Sequence, residues 1–327
     1  MNNKRNALMN IKIKLSLIVI FMISSGWGFF GHENINRLAV FTLPAEMNLF
    51  YKKNIHYIVE ASVNPDKRRY AVPEEGPRHY IDLDGYCAKD TLRKEKGYAE
   101  ELPKYWSEAL KELGQDTLMS HGIVPWHTYA MFLRLKEAFL LGDPDKILRI
   151  SSELGHYVAD AHVPLHTTSN HNGQKTDQHG IHGLWESRLP ELFSGDYDFF
   201  VGRATYIGDV QQAMWDVVKG SHACVDSVLS FEKELSAREL SKKYSFETRA
   251  KQTVKVYSYR YSKLYHNMLP GMVERRMRNS IKMVGNLWYT AWVDAGQPDL
   301  IKLINHKPSE EELLKRKEEF QMIYTEH

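Results

Sequence analysis

The hydrophobic residues of this 327-residue chain recur mainly at helical spacing. The clearest case covers 124–141, where apolar residues fall every three or four positions and Pro125 lies in the first turn. Pro144 opens the next predicted helix, which runs to Asp160 after a Gly-Asp turn. The same periodicity predicts further helices over 32–43, 47–62, 98–113, 211–229, 235–265 and 273–295.

Residues 63–86 contain three prolines, two glycines and many charges, a composition that is typical of an irregular loop. We find no convincing strand run and no internal repeat. No Gly/Ser-rich linker divides the chain, so the pattern predicts a single all-α domain over 27–305. The charged residues 306–327 then form a helix or a frayed tail, whose charges would usually face solvent.

The first 26 residues have the order of a secretory signal peptide. Four basic residues and no acid precede an apolar run from Leu15 to Ile23, and the small residues Ser24, Ser25 and Gly26 follow. The run is too short for a stable membrane span. We therefore expect an exported protein, periplasmic or extracellular, whose mature chain begins at Trp27.

Charge and cysteine content exclude two kinds of site. The chain has 43 Lys and Arg against 41 Asp and Glu, so removing four basic residues with the signal changes the formal net charge from +2 to −2. Binding of a polyanion by bulk electrostatics is therefore not expected. Cys87 and Cys224 could form one disulfide or none, and they lack the spacing of a thiolate zinc site.

The candidate chemistry lies between 151 and 189, a stretch with six histidines, two aspartates and two glutamates. His156 and Asp160 are four residues apart, and so are His182 and Glu186. Residues at this spacing share one face of a helix. Either pair alone could be a surface polar contact, but two pairs with His166 between them indicate a metal site.

Imidazole nitrogen and carboxylate oxygen are zinc ligands, and carboxylates can also bridge two ions and balance their charge. The H-E-x-x-H signature of common zinc proteases is absent: His32-Glu33 begins like it, but Asn36 stands where its second histidine would be. His162 is out of step with His156, so we expect it to point away from the metal.

The motif G-H-Y-V-A-D-A-H-V-P-L-H at 155–166, followed by I-H-G-L-W-E at 181–186, resembles a known superfamily. This is the three-zinc superfamily of bacterial zinc-dependent phospholipase C and the fungal and plant single-strand-specific nucleases. The resemblance implies an all-helical fold in which the amine and carbonyl of a mature N-terminal tryptophan bind zinc. Trp27 and His32 match the family's N-terminal tryptophan and early histidine.

The resemblance also implies a ligand set of three zinc ions. Asp66, His79 and His156 would hold one ion, with Asp160 bridging to a second that Trp27 and His32 complete, while His166, His182 and Glu186 would hold the third. In this scheme Asp66 also orients the attacking water or accepts its proton, and Arg69 pairs with the phosphate. The alternative for Arg69 is a surface charge in a run of three cations.

These features predict a secreted zinc-dependent phosphodiesterase that is phospholipase C-like and uses a zinc-bound hydroxide. Glu186 resembles the phospholipase branch, since the nuclease branch usually has Asp there. The short spacing from Trp27 to His32 and the Asp66-x-x-Arg69 pair instead resemble the nuclease branch, so a single-strand-specific nuclease or nucleotidase stays open.

The expected partner is phospholipid or another phosphodiester, single-stranded nucleic acid is possible, and no protein partner is evident. Tyr80 and Trp185 could stack a base, or could equally lie in the core. A non-catalytic, zinc-stabilised binding protein is the alternative from another class.

Overall fold

The structure is a computed structural model that describes residues 29–86, 102–249 and 252–321. It is 70% helix and 4% strand, which confirms the expected mainly helical fold. The expected signal peptide, Trp27 and Cys87 lie outside the described residues. Within those residues, no helix is both long and apolar enough to cross a membrane.

The described chain forms fifteen α-helices, a π-helix and several 3-10 turns, with a single β-hairpin. The α-helices are α1 (29–40), α2 (Ala45–Lys53), α3 (Ile55–Ala61), α4 (Asn64–Arg68), α5 (Leu83–Tyr86), α6 (Trp106–Leu113), α7 (Gln115–His121), α8 (Val124–Leu141), α9 (Pro144–Ala161), α10 (Leu189–Phe193), α11 (Val210–His222), α12 (Val225–Glu239), α13 (Tyr259–Met268), α14 (Met272–Asp294) and α15 (Glu310–Gln321). The 3-10 turns are Pro73–Arg78, Pro164–Thr167, Ser194–Asp196, Leu240–Lys242 and Leu300–Leu303, and the π-helix is Gly183–Arg188.

Helices α8, α9 and α14 pack against one another at the centre of the core. An aromatic cluster fixes α9 to its neighbours, because the rings of Tyr51 and Trp288 stack with centroids 5.0 Å apart. The indole of Trp288 donates to the backbone oxygen of Ser151 at 3.0 Å, and the Tyr51 hydroxyl lies 2.8 Å from the Ser151 hydroxyl. The middle of α9 is therefore held by both packing and hydrogen bonds.

The predicted bounds of α8 and α9 are confirmed. At the N-terminus of α9, the Asp143 side chain accepts a hydrogen bond from the Lys146 amide, and Pro144 occupies the first turn, where no amide donor is needed. At the other end Pro164 opens a new 3-10 turn, so the chain leaves the helix axis two residues after Ala161.

One helix prediction is wrong, as is the expectation of no strand. The region 235–265 is not a continuous helix: α12 ends at Glu239, and the strands β1 (Tyr244–Arg249) and β2 (Gln252–Tyr257) pair in antiparallel register before α13. Residues Thr253, Val254 and Val256 are β-branched and favour an extended backbone. This strand signal is hard to recognise in the sequence, because apolar residues at helical spacing lie on either side of it.

Other elements differ in detail from the prediction. The expected helix over 47–62 is broken at Asn54, whose side-chain amide donates to the Phe50 oxygen. The expected helix over 211–229 is interrupted near Cys224, between α11 and α12. The expected loop over 63–86 is mostly short helical turns, since Pro65 and Pro73 each occupy a first turn.

The charged C-terminal segment forms the helix α15, and part of it is buried. Glu312 is buried and pairs with Arg149 of α9, and Glu319 lies 3.0 Å from the same guanidinium group. Glu319 also accepts a hydrogen bond from Asn64 at 2.7 Å. The charges of this segment are expected to face solvent. In the structure, the inner side of α15 instead contacts α9 and α4.

Gly285 tests the packing of α14 on the chain that follows α1. A Cβ at Gly285 would lie 2.0 Å from the Thr42 hydroxyl oxygen and 3.1 Å from its Cβ, too close for real atoms. In a helix interior Gly→Ala normally stabilises by about 1 kcal/mol, so we expect Gly285→Ala to show the opposite sign and to destabilise by about 1–3 kcal/mol. Chemical denaturation measures the difference.

The matched control is Gly195→Ala, where a Cβ would meet no atom within 4 Å. A Gly285→Ala protein that is as stable as the native chain would contradict the close approach.

Candidate metal centre

Helix α9 presents two of the predicted ligands on its buried face. His156 Nε2 lies 3.3 Å from Asp160 Oδ2, and both residues are buried. Their four-residue spacing puts them one above the other, as the sequence predicts. Since a buried carboxylate is costly unless it is paired, this face of α9 requires positive charge nearby.

The segment 63–86 brings two further groups to this face. His79 follows the 3-10 turn Pro73–Arg78, and its Nδ1 lies 2.8 Å from Asp160 Oδ2 and 3.1 Å from His156 Nε2. Asp66 Oδ1, from α4, lies 3.7 Å from His79 Nδ1 and 3.8 Å from His156 Nε2. Asp66, His79 and His156 therefore form one group with metal-ligand spacing.

His32 of α1 forms a second group on the opposite side of Asp160. Its ring stacks on that of His156 with centroids 4.0 Å apart, and its Nε2 lies 3.4 Å from Asp160 Oδ1. The two oxygens of Asp160 thus face different groups, Oδ2 towards His79 and Oδ1 towards His32. This is the arrangement that a carboxylate bridging two ions requires.

The third group is formed by His166, His182 and Glu186. His166 Nε2 lies 3.2 Å from His182 Nε2, and Glu186 Oε2 lies 2.7 Å from His182 Nε2 and 3.5 Å from His166 Nε2. Glu186 lies in the π-helix, about one turn after His182, which precedes its first residue. Glu186 Oε1 also lies 3.6 Å from His32 Nε2, which links the second and third groups.

The geometry of these groups fits a divalent cation with nitrogen and oxygen ligands. In a tetrahedral site with metal–ligand bonds of about 2.0–2.1 Å, neighbouring ligand atoms lie about 3.3 Å apart. Most of the distances above lie within about half an ångström of this value. This fit rests on the types of the donor atoms and on the distances between them.

The hydrogen bonds of two histidines provide an independent test of the fit. His166 Nδ1 lies 2.6 Å from the His79 backbone oxygen, and His182 Nδ1 lies 3.2 Å from the His171 backbone oxygen. A carbonyl oxygen only accepts, so each Nδ1 must carry a proton and donate it. In neutral rings the two Nε2 lone pairs then face each other, an arrangement that a cation between them would stabilise.

The pKa values of the candidate ligand side chains also indicate that the buried carboxylates require positive charge nearby. Burial alone would lower the pKa of His166, but the charges of Asp160 and Glu186 raise it to about 10. For His32, burial opposes the hydrogen bond with Glu186 and the charge of Asp160, which together raise its pKa to about 9. Burial would raise the pKa of Asp160, yet His156 and His166 hold it well below its usual range.

Three side chains of the candidate metal centre are partly exposed to solvent, and we call the region formed by Asp66, Arg69 and His182 its mouth. Their side chains are 21%, 42% and 28% exposed, whereas those of His79 and His156 are almost fully buried. Arg69 Nη1 lies 4.0 Å from Asp66 Oδ1, one helical turn away. The predicted pair Asp66 and Arg69 therefore lies at an exposed part of the centre.

Other candidate side chains lie outside the groups. The ring of His162 points away and donates from Nδ1 to the Val158 oxygen at 2.7 Å, and burial, with the charge of Arg276, lowers its pKa to about 3. His171 contributes its backbone oxygen rather than its ring. Trp185 is buried beside the centre, and Tyr80 is only half-buried. Trp27 lies outside the described residues.

Glu75 is a residue of the site that the sequence reading missed. It is fully buried, and its Oε1 lies 3.7 Å from His79 Nε2, on the side of the ring away from the other ligands. Glu75 is held by Arg78 at 2.7 Å and by the Tyr157 hydroxyl. His79 Nε2 has no hydrogen-bond partner among the described residues, so at 3.7 Å Glu75 acts on the ring through its charge and is the carboxylate nearest to this nitrogen that could orient the ring. The four-residue spacing from Glu75 to His79 was the available signal.

No protein-family model matches this chain, and a search of curated proteins finds no match.

Protons and metal ions compete for the same lone pairs, which gives a pH prediction. Below their raised pKa values, His32 and His166 are protonated in the metal-free protein, so binding must displace those protons. As the pH is lowered, we expect zinc affinity to fall about tenfold per pH unit for each displaced proton. Isothermal titration calorimetry at pH 7 in buffers of different ionisation enthalpy measures the proton release.

The sign for stability follows from the same groups. Because their folded pKa values lie above the ordinary 6.5, they stabilise the metal-free protein fully below that pH, and this contribution is lost as the pH rises through 9 to 10. Zinc binding without proton release at pH 7 would be incompatible with this account.

The role of Glu75 is tested by Glu75→Gln, which keeps the shape but removes the charge behind His79. We expect zinc affinity to fall by about 10–100-fold, since that is the usual effect of losing a partner that orients a ligand. Competition with a chromophoric chelator measures the affinity directly.

The control is Glu74→Gln, a change at the neighbouring exposed glutamate. Equal affinities for the two variants would show that Glu75 serves only the ion pairs with Arg68 and Arg78.

Proposed function

We propose that this protein is a secreted zinc-dependent phosphodiester hydrolase of the phospholipase C and single-strand-specific nuclease superfamily. The observation that carries the proposal is the overlap of the three ligand groups. His156 belongs to two of them, and Asp160 directs one oxygen to each of two groups. Shared ligands favour several ions close together, and sites with two close metals recur in enzymes that cleave phosphate esters.

The proposed ligand set follows the three groups. Asp66, His79 and His156 hold one ion with Asp160, His32 and Asp160 hold a second with the amine and carbonyl of Trp27, and His166, His182 and Glu186 hold the third. Most of these side chains are buried, and burial strengthens the electrostatic interactions inside the centre.

Bound zinc ions supply Lewis acidity and lower the pKa of a coordinated water. The chain itself supplies position and charge around the phosphate. Asp66 lies at the mouth with its pKa held below the ordinary value, because the imidazoles of His156, His79 and His32 outweigh its burial. It can thus accept a hydrogen bond from an attacking water. The half-exposed Arg69 beside it can bind the non-bridging oxygens of a phosphodiester.

The phospholipase C-like branch is our first choice, because Glu186 is the carboxylate of the third group and the expected mature charge is slightly negative. The nuclease branch is the second candidate, favoured by the Asp66–Arg69 pair at the mouth. A mouth of this kind binds the phosphate of either substrate, so the substrate assay below decides between them.

The proposal predicts a metal-dependent activity that depends on Asp160. The mature protein should hydrolyse a soluble chromogenic phosphodiester, lose this activity with a chelator and regain it with zinc. Asp160→Asn removes the carboxylate that faces two groups, so we expect activity to fall by more than about 100-fold, beyond the usual loss for a partner that only orients a ligand. Offering phosphatidylcholine and single-stranded DNA in parallel identifies the branch.

Asp145→Asn is the matched control, because Asp145 is also a buried carboxylate of α9 but pairs with His306 at 2.9 Å at the other end of the helix. Its activity should stay close to that of the native protein. A single tightly held zinc with no hydrolysis of any phosphodiester would sink the catalytic proposal, and cleavage of DNA alone would overturn the phospholipase branch.

A further inference from the structure

The β-hairpin has one face turned inward and one turned outward. In its antiparallel register Phe246 lies opposite Lys255, Tyr244 opposite Tyr257, and Thr248 opposite Thr253. Opposed residues share a face, so these six residues form one surface, which we call the hairpin face. On the other side Val254 is buried against the body of the protein. Tyr257 is partly covered by the chain at His179, whereas the other five residues of the hairpin face are exposed.

The hairpin face is apolar and aromatic at its centre. The side chain of Phe246 is 72% exposed, and Tyr244 is also exposed beside it. The ring of Tyr257 lies 5.0 Å from that of Tyr244, between centroids. Leu240 and Tyr259, which precede and follow the hairpin in sequence, are exposed as well. Neighbouring exposed aromatic side chains of this kind are typical of a surface that binds a partner.

The same region is rich in Lys and Arg. Residues 240–263 include seven Lys or Arg and one acid. Four of these cations are paired with carboxylates: Lys242 and Arg260 with Glu239, Lys243 with Glu232, and Arg249 with Glu191 and Glu247. Lys255 lies over the Tyr244 ring at 4.0 Å from its centroid, and Lys263 lies near Tyr259 at 5.9 Å. Neither ammonium group forms an ion pair with a carboxylate of the described chain. The surface therefore complements a negatively charged partner.

The distribution of cations favours a lipid surface over nucleic acid. Arg188 and Arg249 pair with Glu247 on the inner face of the hairpin, and the exposed Arg260 pairs with Glu239. The outward cation of the described hairpin is Lys255, whose ammonium group binds as a point charge and stacks poorly on bases. Exposed Phe and Tyr among lysines are the side chains that anchor proteins at the boundary of headgroups and acyl chains.

The hairpin is attached directly to the segment that carries two ligands of the metal centre. Arg188 Nε donates to the Tyr257 backbone oxygen at 3.1 Å, and the Tyr257 hydroxyl donates to the His179 oxygen at 3.3 Å. These bonds flank the segment that contains His182 and Glu186. A surface bound to the hairpin face would therefore lie next to the chain that forms the edge of the mouth.

We propose that the hairpin face docks the protein on membranes that contain anionic phospholipid. Phe246 enters the interface between headgroups and acyl chains, while Lys255 and its neighbours pair with anionic headgroups. A second copy of this chain is a poor occupant, because two such faces would oppose like charges. The docking itself needs no catalysis, and only the delivery of lipid to the metal centre rests on the proposed function.

The test compares the zinc-loaded mature protein with the double variant Phe246→Ser, Lys255→Glu. Co-sedimentation uses vesicles of phosphatidylcholine alone and of phosphatidylcholine with phosphatidylserine. We expect the native protein to bind the anionic vesicles more tightly, and the double variant to bind them at least about tenfold more weakly. Hydrolysis of a soluble chromogenic phosphodiester should be unchanged, since neither residue touches the metal centre.

The control variant is Phe200→Ser, Lys302→Glu, which changes the same residue types at positions 82% and 80% exposed outside the hairpin. It should bind vesicles like the native protein. Thermal unfolding and zinc content of both variants show whether the fold is intact.

Three results would overturn the docking proposal. The native protein could bind both kinds of vesicle equally weakly, the double variant could bind like the native protein, or the double variant could lose affinity only for a single-stranded oligonucleotide. The last result would assign the hairpin face to nucleic acid. Vesicle binding without any phosphodiester hydrolysis would instead refute the proposed function and leave the docking surface standing.

Discussion

The buried carboxylate of Asp160 imposes the main constraint on this protein. It is almost inaccessible to water, and its nearest charged or polar neighbours are imidazole nitrogens of His79, His156 and His32 at 2.8, 3.3 and 3.4 Å. An ionised carboxylate in such a place is stable only with compensating positive charge. Protons can provide it in part, as the raised pKa values of His32 and His166 indicate, and a metal ion can provide it more completely.

The fold answers this constraint by surrounding α9 with elements from distant parts of the chain. Helix α1 provides His32, the turns of 63–86 provide Asp66 and His79, and the 3-10 turn and π-helix after α9 provide the third group. Behind them, α14 and the Tyr51–Trp288 stack hold α9 rigidly, while Glu75 supports His79. Rigid support of this kind determines ligand geometry, because small displacements weaken metal binding.

The sequence predicted the helical fold and the ligand positions of α9 well, for a physical reason. Spacing of four residues has one geometric meaning in a helix, so His156 and Asp160 could be paired without knowing the fold. Asp66 and His79 could not be placed in this way, since no local rule says where an irregular segment folds back. Their assignment depended on the resemblance to a known superfamily, and their placement beside His156 came from the structure.

The misses have equally specific causes. The sequence predicts helix across the hairpin, because the apolar residues of α12 and α13 continue a helical period through it. Strand preference also depends strongly on tertiary context, which the sequence pattern does not include. The sequence does not identify Glu75, because it lies in a segment that is predicted to be an irregular loop. In such a segment the four-residue spacing to His79 has no fixed geometric meaning. The inner face of α15 was read as solvated, since the partners of Glu312 and Glu319 lie far away in the sequence.

The groups of the candidate metal centre differ in how far apart in the sequence their supporting contacts lie. His166, His182 and Glu186 lie within 21 consecutive residues, so closing that group costs little chain entropy. The support of Asp66 is different, because Asn64 of its helix binds Glu319 across 255 positions of sequence. Closing a contact this distant costs more chain entropy than closing a local one. Completion of the centre is thereby coupled to docking of the C-terminal helix, the last part of the described chain to be synthesised.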